Sequence, residues 1–166
     1  MIESLMFYNI FNSKLGKVTI ATDGEYITEL HLETDKYFHE IPKDWTLDTQ
    51  NQLLENTHQQ MDKYLSGELK IFDLPVSFHG TDFQKEVWKS LKDIPFGKTV
   101  TYRDIAEKIH KPKSVRAVGT AIGRNPICIV VPCHRVIGTN GSLTGYAAGL
   151  DVKEKLLKLE SSKDTK

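Results

Sequence analysis

The chain changes character near Gly80. Residues 1–80 hold 6 Lys and Arg against 13 Asp and Glu, whereas residues 81–166 hold 16 against 9. The resulting net charges of −7 and +7 cancel in the whole chain of 166 residues. Short β-prone runs dominate the first part and helix-start signals the second. The sequence therefore predicts two small domains, 1–80 and 81–166, that share an interface.

The first part has the pattern of a small α/β domain. Three β-prone runs occupy residues 7–11, 17–22 and 26–32. Gly16 and the pair Asp23-Gly24 separate these runs, which predicts an antiparallel meander. A helix is predicted over residues 51–66, with apolar residues on one face and Gly67 at its end. Because this part contains no catalytic motif, we interpret it as a scaffold.

The second part begins three helices at recognisable N-terminal signals. The predicted helix caps are Thr81, Thr101 and Ser114. The first two have Gln84 and Asp104 three residues later, which is the spacing of a capping box. The third helix is predicted to end near Gly123. Since the second and third helices are short and joined by a tight turn, we predict a mostly α domain with a helix-turn-helix of winged-helix type.

Basic side chains surround the predicted helix-turn-helix. From residue 98 to residue 135 the cationic residues are Lys98, Arg103, Lys108, Lys111, Lys113, Arg116, Arg124 and Arg135. Only Asp104 and Glu107 oppose them in this stretch. A solvated face usually mixes the two signs, so the one-sided charge favours contact with DNA phosphates.

The predicted recognition helix has unusually small side chains. Ala117, Gly119 and Thr120 follow the single long side chain of Arg116. Proteins that read the major groove present Arg, Asn and Gln to base edges. A helix with small exposed side chains can instead approach the minor groove closely. We therefore expect recognition of a distorted site rather than of a sequence, with Arg116 as the probe.

A thiol and an imidazole follow the most apolar run of the chain. Residues 127–131 predict a buried extended segment that ends at Pro132, and Cys133 and His134 come next. A cysteine between buried backbone and a basic surface has a lowered pKa. Taken alone, Cys133 is better interpreted as a small core residue, because adjacent side chains on extended backbone diverge. Cys128, inside the run, is predicted to be an inert core residue.

Small and turn-forming residues fill the segment after the thiol. Residues 138–149 have the composition of a loop that closes over a ligand or brings backbone close to it. Asp151 is the predicted cap of a last helix, with Glu154 in the capping-box position. The composition of this loop therefore favours a reactive Cys133, which the adjacent Pro132 and His134 alone do not.

The two cysteines and six histidines exclude several classes of site. Cys128 and Cys133 are too few and too close for a disulfide framework, and with His134 as the only nearby ligand they make a poor zinc site. We expect no metal and no cofactor. No apolar run approaches the length of a membrane span, and residues 1–5 lack the layout of a signal peptide. The expected protein is a cytoplasmic monomer without membrane contact.

A family resemblance emerges from these residues together. The segment Pro132-Cys133-His134-Arg135-Val136 resembles the active-site signature of the O6-alkylguanine-DNA alkyltransferases, also called methylated-DNA–protein-cysteine methyltransferases. The similarity extends over residues 81–160, through 100–102, 116–119, 125–126, 145–150 and 153–154. Residues 1–80 are similar only in kind, as the small ribonuclease-H-like α/β domain that precedes the DNA-binding and alkyl-acceptor domain in such proteins.

The resemblance implies DNA repair by direct damage reversal. Cys133 would attack the alkyl carbon on O6 of guanine in duplex DNA, and less efficiently that on O4 of thymine. His134 would act on the thiol through a water, with Glu160 orienting the imidazole, and Asn125 would hold the active-site turns together. The product thioether has no good leaving group, so each molecule would act once, as a suicide methyltransferase.

The resemblance also assigns residues to DNA and to the lesion pocket. Tyr102 would donate a proton to the departing guanine, and Arg116 would fill the gap that the flipped base leaves in the stack. The predicted DNA-binding residues are Tyr102, Ser114, Arg116, Ala117, Thr120 and Arg124. The predicted pocket residues are Val131, Pro132, Tyr146, Ala147, Ala148 and Lys153. Ala148 stands where many relatives have glycine, which would narrow the pocket.

Other functional classes remain open on the residues alone. A thiol-based transcription regulator would couple oxidation of Cys133 to operator binding by a dimer, but the small-sided recognition helix and the lack of a dimerisation helix argue against it. A cysteine hydrolase is disfavoured because adjacent Cys133 and His134 need not converge in space. A relative that only flags lesions would lack the nucleophile.

Overall fold

The computed structural model describes residues 5–161, so the predicted ends of the two domains, residues 1–4 and 162–166, lie outside it. A four-stranded sheet forms most of the first domain. Its strands are β1 (Met6–Ser13), β2 (Gly16–Thr22), β3 (Ile27–Leu32) and β4 (Trp45–Leu47), and their order in the sheet is β3-β2-β1-β4. The antiparallel meander β1-β2-β3 confirms the prediction. β4 was not predicted, and it pairs parallel to β1 over only three residues.

Helix α1 (Gln52–Leu65) packs against this sheet, close to the predicted bounds. The Asn51 side chain accepts a hydrogen bond from the backbone N–H of Leu54 and caps the helix. Its buried residues recur every three to four positions and include Leu54, Met61 and Tyr64. This spacing places one face of α1 in the core and directs Tyr64 towards the second domain.

The second domain is mostly helical, as predicted. Its elements are α2 (Asp82–Leu91), β5 (Val100–Thr101), α3 (Tyr102–Lys108), α4 (Val115–Gly123), β6 (Val136–Ile137) and α5 (Leu150–Ser161). The capping boxes of Thr81 and Thr101 are both present. Trp88 of α2 donates its indole N–H to the Ala121 carbonyl of α4 at 2.8 Å, which fixes α4 against the core.

One predicted helix cap is wrong, and another is in the predicted position but makes no cap bond. Ser114 precedes α4 but makes no side-chain cap bond, because its ψ of 27° departs from the extended conformation that aims a cap oxygen at the helix. Asp151 lies inside α5, which begins one residue earlier at Leu150. Gly149 takes the capping position instead, since its φ is +109° and its carbonyl accepts the first helical bond, from Lys153.

The edge strand β3 joins the two domains. The Leu30 N–H donates to the Pro126 carbonyl at 2.8 Å, and the Cys128 N–H donates to the Leu30 carbonyl at 3.0 Å. Buried apolar residues of both domains form one continuous core. The segment that carries the thiols is therefore held on the edge of the sheet. Within residues 5–161, no helix is both long and apolar enough to cross a membrane.

Candidate active site and nucleic-acid interface

The apolar run before Cys133 is a tight turn, so the predicted extended segment is wrong. The Val131 N–H donates to the Ile127 carbonyl at 3.0 Å, and Ile129 has a φ of +72°. Apolar composition alone does not distinguish a buried turn from a buried strand. Cys133 then begins a short 3-10 helix that ends at Arg135, so the expected divergence of Cys133 and His134 on extended backbone does not apply.

Asn125 holds this turn together with both ends of its amide. Its Nδ2 donates to the Val131 carbonyl at 2.9 Å, and its Oδ1 accepts from the Ile127 N–H at 3.0 Å. The same Nδ2 lies 3.1 Å from the Sγ of Cys133 and can donate to a thiolate there. The predicted clamp is thus also a direct partner of the sulfur.

Cys133 is buried but has the electrostatics of a reactive thiol. The neighbouring Cys128 thiol lowers the pKa of Cys133 most, and the Asn125 amide and the Lys153 ammonium lower it further against the effect of burial. Hydrogen bonds and positive charge favour the thiolate, which is the nucleophilic form. The lowered pKa favours the thiolate, although only 7% of the residue is exposed.

His134 is fully buried and paired on one nitrogen. Its Nε2 lies 2.8 Å from Oε2 of Glu160, whereas its Nδ1 has no hydrogen-bond partner among residues 5–161. Burial lowers the pKa of His134, and the positive charges of Arg135 and Lys153 lower it further. Glu160 raises this pKa but does not offset the other effects. A neutral imidazole that donates Nε2–H to Glu160 leaves an acceptor lone pair on Nδ1.

Glu160 is the centre of a buried hydrogen-bond network. Beside His134, its carboxylate accepts from the Arg135 guanidinium at 2.8 and 2.9 Å and from the Gly97 N–H at 3.2 Å. Burial raises the pKa of Glu160, but the hydrogen bonds from His134 and Arg135 outweigh it and hold the pKa well below its usual range. The carboxylate therefore stays charged and fixes the imidazole.

Tyr64 completes this network from the first domain, and sequence reasoning missed it. Its hydroxyl donates to Oε2 of Glu160 at 2.5 Å and lies 3.4 Å from Nε2 of His134. Burial and the Glu160 charge raise the pKa of Tyr64, so the group stays a donor. A tyrosine on the buried face of a helix needs a hydrogen-bond partner, and this was the available signal.

A cavity of about 20 Å³ lies beside the thiol. Of the predicted pocket residues, it is lined by Tyr146, Ala147 and Ala148. Its wall also includes Cys128, which is 5% exposed and belongs to the core as predicted. Because Ala148 is 2% exposed and adds a methyl group to the wall, the space next to Cys133 is narrow.

The other predicted pocket residues lie elsewhere. Val131 and Pro132 line a separate groove with Phe96, because the turn directs them away from the thiol cavity. The Val131 carbonyl still reaches Asn125. Lys153 is buried and donates to the carbonyls of Val136 and Thr144 at 2.7 and 3.2 Å, so it acts on the sulfur through its charge rather than as a wall of this cavity.

A larger cavity of about 520 Å³ shares Tyr146 and Ala147 with the thiol cavity. Tyr102 lines it, with its hydroxyl 2.7 Å from Oγ1 of Thr144. Gly119 of α4 forms another part of its wall. This volume lies in the range of ligand pockets, roughly 300–1,000 Å³.

The outer face of α4 presents the predicted DNA-binding residues. Ser114, Arg116, Ala117 and Thr120 line one shallow groove beside α2. Two other basic residues are engaged within the protein. The Arg124 guanidinium stacks 3.8 Å from the ring centroid of Tyr37. Arg135 is 7% exposed and paired with Glu160, so its expected place on the basic surface is wrong.

The first domain supports the wall of the thiol cavity. The Thr34 hydroxyl donates to the Ala148 carbonyl at 2.6 Å, and the Lys36 N–H donates to the Ala147 carbonyl at 2.9 Å. Lys36 and Tyr37 also line the larger cavity. Among the described residues, no cluster of three His, Cys, Asp or Glu side chains could hold a metal ion.

The fold and the site define a two-domain protein in which a mostly helical domain carries a buried cysteine with a lowered pKa. Residues 82–162 match the profile of the 6-O-methylguanine DNA methyltransferase DNA binding domain, and residues 6–78 match that of the ribonuclease-like domain of the same proteins. The chain belongs to the 6-O-methylguanine DNA methyltransferase family, which confirms the resemblance.

Individual relatives agree over almost the whole length. The methylated-DNA–protein-cysteine methyltransferase of Methanosarcina acetivorans is 49% identical over 157 residues, which are 95% of this chain and 99% of that protein. Mycobacterium tuberculosis OGT in complex with DNA has a TM-score of 0.86 at 42% identity, with 95% of this chain and 94% of that chain covered. An O6-methylguanine DNA methyltransferase from Methanococcus jannaschii has a TM-score of 0.66 at 29% identity, covering 92% and 93%.

Proposed function

We propose that this protein repairs alkylated DNA by moving the alkyl group from O6 of guanine in duplex DNA to the Sγ of its own Cys133. The observation that carries the proposal is the thiol itself, which has a lowered pKa, borders a cavity and lies beside a helix-turn-helix. The names of the relatives, and the DNA bound to the Mycobacterium tuberculosis protein, support the same reaction.

The buried network accounts for activation of the thiol. The proton of Cys133 passes through a water to Nδ1 of His134, the nitrogen that is not bonded to Glu160. Glu160 stabilises the resulting imidazolium, and the Asn125 amide stabilises the thiolate. This arrangement has the logic of a hydrolase triad with one water inserted.

Transfer is then a single in-line substitution. The thiolate forms a bond to the alkyl carbon while the bond from that carbon to O6 breaks, and the electron pair stays with the guanine. Tyr102 donates a proton to the departing base and neutralises its charge. Because a thioether has no good leaving group, Cys133 is not regenerated and each molecule acts once.

The two cavities suggest how the lesion is held. We place the flipped base in the larger cavity between Tyr102 and Tyr146, with its alkyl group directed into the narrow cavity at Cys133. Helix α4 lies in the minor groove, and Arg116 fills the gap in the stack. The narrow wall at Ala148 favours small alkyl groups, and O4-alkylthymine is a slower substrate. We place this monomeric activity in the cytoplasm, a reducing compartment in which permanent disulfides are rare.

Intact mass measurement tests the proposal. The protein is mixed with duplex DNA that contains one O6-methylguanine, and we expect one methyl group to replace one hydrogen on the peptide that contains Cys133. Cys133→Ala abolishes the gain, whereas Cys128→Ala gives a gain that still maps to Cys133. An unchanged mass of folded wild-type protein, with the lesion intact in the DNA, contradicts the proposal.

A further inference from the structure

The second cysteine borders the same cavity as the acceptor. Cys128 lies on one arm of the turn and Cys133 follows the other, and both line the cavity of about 20 Å³. A volume of this size holds about one water molecule. The two thiols are also within hydrogen-bonding reach of each other. In the proposed alkyl transfer Cys128 lowers the pKa of Cys133 but forms no bond to the alkyl group.

Each thiol is held by a side chain of the same site. The Sγ of Cys128 lies 3.0 Å from the hydroxyl of Tyr146, and the Sγ of Cys133 lies 3.1 Å from Nδ2 of Asn125. The backbone of Cys128 is also fixed, because its N–H donates to Leu30 of the sheet edge. The two sulfur atoms are therefore kept as neighbours by contacts from three parts of the fold.

The two thiols differ in acidity. The pKa of Cys133 is lowered, whereas the neighbouring Cys133 and burial raise the pKa of Cys128 well above its ordinary value. The thiolate is the form that reacts with peroxide, so Cys133 is oxidised first and Cys128 stays a neutral thiol next to it. This division of roles matches that of an oxidised cysteine and a resolving cysteine.

We propose that Cys128 is a resolving cysteine, which converts oxidation of Cys133 by hydrogen peroxide into a reversible Cys128–Cys133 disulfide. The Cys133 thiolate attacks one peroxide oxygen, the O–O bond breaks, and the departing hydroxide takes up a proton to become water. Cys133 is then a sulfenic acid, oxidised by two electrons. The Cys128 sulfur attacks the Cys133 sulfur, the S–O bond breaks, and the hydroxide leaves as water with the proton of Cys128.

The disulfide protects a residue that the proposed function uses only once. Further oxidation of a sulfenic acid gives sulfinic and sulfonic acids, which an ordinary thiol reductant does not reverse. A dithiol reductant opens the disulfide, becomes a disulfide itself, and returns both cysteines as thiols. Because Cys133 is 7% exposed and the cavity beside it is small, we expect hydrogen peroxide to oxidise it faster than a bulky tripeptide disulfide such as oxidised glutathione.

Mass spectrometry of the full chain tests this inference without DNA. Reduced wild-type protein is treated with hydrogen peroxide, and we expect the loss of two hydrogens and a cross-linked peptide pair that contains Cys128 and Cys133. Cys128→Ala instead gains oxygen atoms on Cys133, in steps that dithiothreitol does not fully reverse. The same dose of oxidised glutathione leaves the wild type reduced.

A second readout is alkyl transfer by protein that has been oxidised with hydrogen peroxide and then reduced again. The activity of each protein is compared with that of the same protein before oxidation. Wild type recovers most of its transfer after dithiothreitol, and Cys128→Ala recovers little. Oxygen adducts on wild-type Cys133 at the rate seen in the variant, without a disulfide, overturn the inference. A wild type that forms the disulfide but takes no methyl group from DNA when reduced contradicts the proposed function alone.

Discussion

Glu160 determines the charge state of the buried network. It lies within hydrogen-bond distance of His134, Arg135 and Tyr64, and it is 1% exposed. A buried ion pair contributes little over a well-packed apolar pair, but the loss of one partner leaves the other charge buried and unpaired. The Arg135 guanidinium is the group that Glu160 keeps neutralised. Under the proposed function, Glu160 therefore contributes both to the stability of the fold and to the activation of the thiol.

The stability contributed by Glu160 depends on pH in a defined direction. Its pKa in the folded protein lies below the usual 4.5, so the contribution is fully present above about 4.5 and is lost as the pH falls through the folded pKa. We expect Glu160→Gln to lower the free energy of unfolding by about 3–5 kcal/mol at neutral pH. Urea unfolding from pH 7 to pH 3 should show a difference between variant and wild type that shrinks towards acid. A difference that grows towards acid contradicts this assignment.

At the scale of elements, features that depend on residues close in the sequence were predicted correctly, whereas features that depend on distant residues were missed. The caps at Thr81 and Thr101 depend on residues three positions away, so both helix starts were readable. The turn at Ile129 depends on Asn125 and on pairing with β3, which no periodicity reveals. The same reason hides the pairing of β4 and the contact of Tyr64 with Glu160, which joins residues 96 positions apart.

Helix α1 contributes a hydroxyl to the proton network, and its removal should be visible at His134. In Tyr64→Phe, Oε2 of Glu160 loses the hydrogen bond of 2.5 Å from the Tyr64 hydroxyl. Because this hydrogen bond no longer stabilises the carboxylate, the negative charge of Glu160 interacts more strongly with a protonated His134. We expect the pKa of His134 to rise, although Arg135 and Lys153 still oppose protonation and Cys133 lies beside it. NMR titration of the histidine side chains measures this shift.

The matched control is Tyr26→Phe, which removes a hydroxyl from a tyrosine that is 39% exposed on the same domain. Under the proposed function, the acid limb of the pH dependence of alkyl transfer moves to higher pH in Tyr64→Phe alone. Equal rate losses at every pH, with an unshifted His134, would show that the hydroxyl only stabilises the fold.

Helix α4 has one long side chain on its small-sided surface, and its removal separates DNA handling from chemistry. Arg116 lies on the outer groove, away from the residues that line the thiol cavity. We expect Arg116→Ala to slow methyl transfer from duplex DNA by at least about tenfold, because the gap in the stack is then unfilled, and to leave transfer from the free base O6-methylguanine near wild type. Single-turnover rates of methyl transfer from duplex DNA and from the free base test this prediction. Lys113→Ala, which removes one positive charge from the same groove, is the control for the loss of charge. Equal losses on both substrates contradict the role of Arg116 as a stack-filling residue.

At the scale of the whole molecule, the acidic first domain is part of the site rather than a detached scaffold. Thr34 and Lys36 bond the carbonyls of Ala148 and Ala147, and Tyr37 stacks on Arg124. The sequence showed the charge difference between the domains but not these contacts, because each joins residues about a hundred positions apart. The loop over the thiol cavity is therefore held in place from the opposite domain.

Removal of one of these bonds should loosen the loop and widen the cavity. Thr34→Val keeps the side-chain shape but leaves the Ala148 carbonyl without the donor at 2.6 Å, at a cost of about 1–3 kcal/mol. We expect faster hydrogen exchange over residues 144–149 and a smaller rate difference between O6-methylguanine and the bulkier O6-benzylguanine. Thr46→Val, at an exposed position in β4, is the matched control and should change neither quantity. Unchanged exchange in Thr34→Val would mean that the loop holds its shape without the first domain, and the narrow cavity would then be a property of the second domain alone.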